Sequence, residues 1–464
     1  MLALPTSIAA HWWTRPDRTS VWSALGRTKM LLVAHFTNAN DERTQSIARE
    51  RARDDDWTTF AHDDLRSGFQ RRSTGITRSS VAALKRRWMR VLNQRVIASP
   101  LVAGGSVYIA TDEGTVFALD AASGEVRWQR AIGNSVRMTP ALVDGALLVG
   151  VYGEFGGSGE KPHGAAFLAL DAATGTIRWR TPLPGLVRSE PVVVDGVIYE
   201  GLAGGDSFSG CFDGRIVALD QRTGALLPHV WRSTARANNG AGIWGPLSTD
   251  GRTIYVGTGN ACDEATSGAG DSIVALTPSL SMVWRTSARV PGIEDSDVGG
   301  GVAIVGDRAY VAGKSGYFYT LDRGDGRILE RHDLNPFARN GGSIGTPTGD
   351  GTVLLISSGP KRDPDSAGDS ASSVMTAFDA NGHPRYQLAS AYPVFGYAAF
   401  VPGVGFIALD RRLVGFDAAT GKQLWSAELG DLAYASPVVV PSGVYAVTNS
   451  GDVFAFAPRG EGEP

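Results

Sequence analysis

Nine side chains in this chain of 464 residues could do chemistry together if the fold brought them to one place. Four recur at one type of position: Glu154, Asp206, Asn260 and Lys314. Five recur at another: Arg137, Arg188, Trp244 and the acidic pair Asp295 and Asp297. Carboxylates and an amide oxygen are hard donors of the kind Ca²⁺ accepts at flexible geometry. A lysine, two arginines and a large aromatic face beside them describe a place for a flat, charged ligand.

What would position them is a repeat of roughly forty to fifty residues. Each copy has a small residue and Pro, an apolar strand A ending in Gly or Asp, a strand B, then a strand C closing on Ala-Leu-Asp, a turn and Trp. The clearest copies start at Ser99 and Glu190. A unit this short cannot bury its own apolar face, so copies must stack. Period-2 strands with turn signals, and no helical pattern of useful length, predict an all-β chain, a β-propeller of such repeats. Strand B recurs at residues 107, 147, 197, 253, 309, 353, 405 and 444, which predicts eight blades. The last copy stops at residue 457 without an outer strand, and residues 84–92 supply one, so the two ends of the domain close the ring and leave no open sheet edge. In a propeller, strand A lines the axis and strand B runs antiparallel beside it. Residues just before A and just after B therefore share one mouth, and the nine side chains occupy those positions. The aspartates that end strand C, such as Asp120, Asp171, Asp220, Asp322, Asp379 and Asp417, read as turn-forming and the following Trp as blade packing.

Composition narrows the function. Hydrophobic residues make up 43% of the chain and Gly occurs 59 times, enough for one large ring. Lys plus Arg at 44 against Asp plus Glu at 47 gives a net charge of -3, so no basic field invites nucleic acid. No run of eighteen apolar residues is present to form a membrane-spanning helix.

Residues 1–56 fall outside the repeat and are expected to form an N-terminal extension, with the propeller over 57–464. A charged start and apolar run from Arg27 look like a signal peptide but are too short, and Asp41–Asp56 reads as a solvated linker. Cys211 and Cys262 form neither a disulfide framework nor a haem-attachment motif. They follow Asp206 and Asn260 closely, which leaves two readings open: a disulfide across blades in an oxidising compartment, or two free thiols.

Four segments carry a more specific resemblance: Gly-Ile-Trp-Gly-Pro from 242, Tyr-Val-Gly-Thr-Gly-Asn from 255, Glu-Asp-Ser-Asp-Val from 294 and Gly-Lys-Ser-Gly-Tyr-Phe-Tyr-Thr-Leu-Asp from 313. With its repeats over residues 57–457, the chain resembles the quinoprotein alcohol dehydrogenases that use pyrroloquinoline quinone (PQQ), and most of all the polyvinyl alcohol dehydrogenase branch without its cytochrome domain. The resemblance implies PQQ and Ca²⁺ as cofactors and a periplasmic location. It makes Trp244 the stacking floor, Lys314 the donor to the reactive quinone carbonyl, and Asp297 the general base. Asp206, Asn260 and Asp297 become the metal ligands, while Arg137 and Arg188 meet the cofactor's carboxylates by position and charge. Hydride would leave the alcohol for the quinone as Asp297 takes the hydroxyl proton, and the electrons would pass to a separate cytochrome c or other acceptor. Two departures stand out: the adjacent Cys pair of many relatives is absent, and Ser296 stands where an aromatic residue is frequent. The repeat equally resembles the non-catalytic outer-membrane assembly lipoprotein, which keeps a scaffold function open beside the enzyme.

Overall fold

The structure is a computed structural model. It describes residues 55–154, 163–203, 211, 213–234, 239–263, 268–291, 293, 296–334, 345–362 and 371–458. Most of the anticipated N-terminal extension, residues 1–54, lies outside the described residues, as do Asp206 and Asp295.

Eight antiparallel sheets follow one another along the chain as the eight blades of a propeller. Blade one runs Leu101–Ala103, Ser106–Ala110, Thr115–Asp120 and Val126–Ala131 as strands A to D, each bonded to the next. Its burial falls outward: strand B is wholly buried, whereas strand D is almost wholly exposed. That gradient explains why strand B reads as a continuous apolar run while strand D carries charge. Blade eight takes Leu84–Val91 as its strand D, paired antiparallel with Asp452–Pro458, so the ring closes as the sequence predicts. Blade six has three named strands, and a bridge between Thr348 and Leu355 stands in place of its strand A.

The conserved-looking words of the repeat are joints between blades. The indole N–H of Trp128 donates to Ala172 O of blade two at 3.0 Å, and Trp179, Trp284 and Trp425 make the same bond to Gln221 O, Arg323 O and Leu84 O. Six of the C–D turns are closed by an Asp, as where Asp120 Oδ1 accepts the Ala122 and Ser123 N–H groups, both at 2.9 Å, and in blade four Thr277 Oγ1 accepts from Ser281 N instead. The turn glycine is left-handed and lies under the neighbouring ring, as Gly175 does at φ 69° beneath Trp128, where a Cβ would collide with the indole.

The residue before each Pro ties the inner rim. Ser99 N donates to Thr139 Oγ1 at 3.2 Å, Thr139 N to Glu190 Oε1 at 3.1 Å, Tyr397 N to Ser436 Oγ at 2.8 Å and Ser436 N back to Ser99 Oγ at 2.9 Å. Residues 57–70, which belong to no blade, fasten this rim from within. Their backbone meets Val102, Leu142, Thr249, Ile304, Gly349 and Phe400, the inner strands or strand positions of blades one, two, four, five, six and seven. Arg66, fully buried, adds blade three: its Nη2 donates to Pro191 O at 3.0 Å while its Nε donates to Leu247 O at 2.7 Å.

Candidate functional site

Blades three to five converge at the strand-A starts because glycine lets their backbones touch. A Cβ on Gly257 would strike Val298 O, and one on Gly245 would strike Gly299 O. Side chains at the ends of these tight crossings are pushed together toward the mouth.

Asp297 is buried, with 8% of its surface exposed, and both its oxygens are engaged. Its Oδ1 accepts the backbone N–H of Asn260 at 2.5 Å, and its Oδ2 accepts from Lys314 Nζ at 2.7 Å. The backbones agree, since Lys314 N donates to Asp297 O at 2.8 Å and Val298 N to Thr258 O at 3.0 Å. Asn260 turns its side-chain oxygen to the same strand, accepting from Ser296 N at 3.2 Å. Trp244 is half-buried and seated on Gly299, where any Cβ would overlap the ring. Two cations address this one indole: Lys314 Nζ lies 5.1 Å and the exposed Arg188 guanidinium 5.4 Å from it. Gly259 completes the cradle: a Cβ there would press on Asp297 Oδ1 and Trp244 Nε1, each 3.1 Å from that position.

Five of the residues singled out from sequence are therefore neighbours: Arg188, Trp244, Asn260, Asp297 and Lys314. Arg137 has its described partners in blades one and two. Its Nε donates to Asp112 Oδ1 at 3.1 Å and its guanidinium lies 4.4 Å from the Tyr152 ring. Glu154 stands nearby at the rim, accepting from Asn134 Nδ2 at 2.5 Å and bridged to His163 through the backbone. Asp112 was missed by the sequence reading although it follows strand B of blade one, the very position searched in later blades.

A second omission is the acid pair behind Arg188. Glu190 takes the pre-Pro place that is Ser or Thr in blades one, two, six and eight, and burial pushes its carboxyl up to about 7. Glu200, in strand B of blade three, is fully buried and accepts from Ser189 Oγ at 2.8 Å; burial holds it well above the ordinary carboxylate range. The signal was present as an acid inside an apolar strand.

The two cysteines form a disulfide, Cys211 to Cys262, with Cα atoms 6.0 Å apart, which resolves the alternative between bridge and free thiols. Among the described residues no group of three or more His, Cys, Asp or Glu side chains is arranged to hold a metal ion. Of the expected metal ligands, Asn260 and Asp297 are joined through the Asn260 backbone N–H on Asp297 Oδ1, while the Asn260 side-chain oxygen accepts from Ser296 N.

Comparison with known proteins bears on the repeat and the fold. The chain is 25% identical over 453 residues to the polyvinylalcohol dehydrogenase of Sphingopyxis sp. (strain 113P3), covering 81% of this chain and 67% of that enzyme. It is also 26% identical over 297 residues to the outer membrane protein assembly factor BamB of Burkholderia pseudomallei, covering 59% of this chain and 68% of that protein. Among solved structures, the quinohemoprotein alcohol dehydrogenase from Comamonas testosteroni superposes with a TM-score of 0.72 at 20% identity, over 92% of this chain and 83% of that one, which shows a shared fold. The family model PQQ_2, described as outer membrane protein assembly factor BamB, matches residues 77–159, 161–262 and 212–463, and the chain belongs to this PQQ-repeat family.

Proposed function

We propose that the chain is a PQQ-dependent dehydrogenase that oxidises an alcohol, with secondary and polymeric alcohols as the first candidates, and passes the electrons to a separate acceptor such as a cytochrome c. The observation that carries this reading is the glycine-seated Trp244 with two cations over it, one of which also grips a buried carboxylate. A flat, anionic group is what such a cradle accommodates, since the indole offers area while Arg188 and Lys314 offer positive charge. A bound quinone would supply the hydride acceptor that oxidation of an alcohol requires.

Each residue then has a physical task. Trp244 holds the cofactor plane and Gly299 keeps the ring's seat clear. Lys314 has three donors, so it serves Asp297 and a second acceptor, the quinone carbonyl, together. Arg188 meets a cofactor carboxylate, and Arg137, steadied by Asp112 and Tyr152, is assigned the same task. Asp206, Asn260 and Asp297 supply oxygens for Ca²⁺. Asp297 receives the alcohol's hydroxyl proton. The polyvinylalcohol dehydrogenase relative supports the substrate class. We further propose that residues 1–56 form an extension distinct from the ring and that the protein works in the periplasm, where a cystine such as Cys211–Cys262 persists.

The decisive measurement is dye reduction by purified protein given Ca²⁺, PQQ and a panel of primary, secondary and polymeric alcohols. Turnover that falls about 10²- to 10⁴-fold in Asp297→Asn, with PQQ still bound, is the expected result. A second reading, a non-catalytic scaffold, is favoured by the description of the matching family model and by the BamB relative. Protein that takes up no PQQ at saturating Ca²⁺, and that Asp297→Asn leaves unchanged in every assay, would establish that reading instead.

A further inference from the structure

We infer that the Cys211–Cys262 cystine is a redox-reversible clasp that positions Asn260 against Asp297, so that reduction loosens the site without unfolding the ring. Cys211 lies in the B–C connection of blade three and Cys262 in that of blade four, 51 residues apart in sequence, and both are half-buried at the mouth, within reach of a small thiol. Cys262 stands two residues beyond Asn260. Strand B of blade four ends at Gly257 and strand C begins at Ser272, so Asn260 lies outside the blade-four ladder, beside an isolated antiparallel bridge between Gly240 and Ala261.

Loop contacts hold it instead. Asn260 O accepts from Ala241 N at 2.7 Å, and Cys262 N donates to Asn239 O at 2.9 Å. Residues 239–241 are themselves a connection, tied back to blade three where Gly214 N donates to Gly240 O at 2.8 Å. The cystine spans the same two blades covalently, close enough that a Cβ on Gly240 would come within 3.1 Å of Cys262 Sγ. It is thus the one covalent tie across a chain of loop-to-loop bonds that ends on the Asp297 carboxylate. A dithiol supplies two electrons and two protons, the S–S bond opens to two thiols, and the dithiol leaves as its own disulfide. With that tie gone the 260–263 turn gains freedom, and the Asn260 N–H to Asp297 bond is the first to open.

The consequence for cofactor binding rests on the function proposed above; the structural consequence does not. The test uses the full chain oxidised, reduced with dithiothreitol and alkylated, and as Cys211→Ser/Cys262→Ser. Alkylation of two thiols per chain confirms reduction. Hydrogen exchange at Asn260 should then accelerate about tenfold or more, while strand B of blade seven, Val404–Leu409, keeps its protection. Ca²⁺-dependent PQQ affinity should fall about 10- to 100-fold, as when a supporting contact to a ligand is lost, and recover on reoxidation. Unchanged exchange at Asn260 with both thiols alkylated overturns the clasp, and so does equal acceleration in blade seven, which would mean global loosening. Faster exchange at Asn260 in a protein that binds no PQQ when oxidised would sustain the clasp and sink the enzymatic reading.

Discussion

At the scale of single residues, the site is built from departures. Glu190 is the clearest case, because its place in the rim asks only for an acceptor, which Ser or Thr supplies elsewhere. Burial raises its carboxyl from 4.5 to about 7, so the folded protein keeps a proton that the unfolded chain gives up. Its contribution to stability is therefore fully present below pH 4.5 and is lost as pH rises toward 7. The effect is on the order of a few kcal/mol. Thermal melts across pH 5 to 8 should show wild type losing stability relative to Glu190→Gln as pH climbs; parallel curves would remove Glu190 from the account. Trp244→Ala should leave the fold intact and weaken PQQ binding by about tenfold or more, read by equilibrium dialysis, since one aromatic face and two cation contacts disappear together.

At the scale of elements, each blade is a sheet whose outer ring docks on its neighbour's turn. Gly175→Ala tests that joint: the backbone is left-handed at φ 69° and a methyl would enter the Trp128 ring. Strain and overpacking together should cost about 2 to 4 kcal/mol, measured as a shift in denaturant midpoint at unchanged slope. The cystine acts at this scale as well. It ties the B–C connections of blades three and four to each other, so the effect of reducing it belongs to those two blades and not to the rest of the ring. The turn aspartates and Trp positions were legible in sequence because their bonds are local or repeat at fixed spacing. The rim of Ser99, Thr139, Glu190 and Ser436 was visible only as a residue before Pro, since its partners are 40 or 51 residues away in the next blade or at the other end of the chain.

At the scale of the whole molecule, two segments decide closure. Leu84–Val91 completes blade eight, and residues 57–70 bind inner strands all round the axis, with Arg66 donating to blades three and four. Arg66→Leu strips a buried cation from several carbonyls at once and should cost about 3 to 5 kcal/mol by chemical denaturation. Deleting residues up to Val91 removes both fasteners and exposes the edge of Asp452–Pro458, so the shortened protein should lose its single cooperative transition and associate through that edge, seen by light scattering.

Sequence by itself determined the eight repeats, the alternation that makes each one a sheet, the turn chemistry, and the end strand that closes the ring. These follow from periodicity and local hydrogen bonding, which a chain carries in its own order. Tertiary structure decided which candidate residues meet. Asn260, Asp297, Lys314, Arg188 and Trp244 come together because glycines let blades three to five cross closely, whereas Arg137 turns to Asp112 and Tyr152. The pairing of Cys211 with Cys262 and the path of residues 57–70 along the axis were decided there too. Contacts between blades depend on how far each sheet twists and how near its neighbour comes, and no spacing within a single repeat encodes that distance.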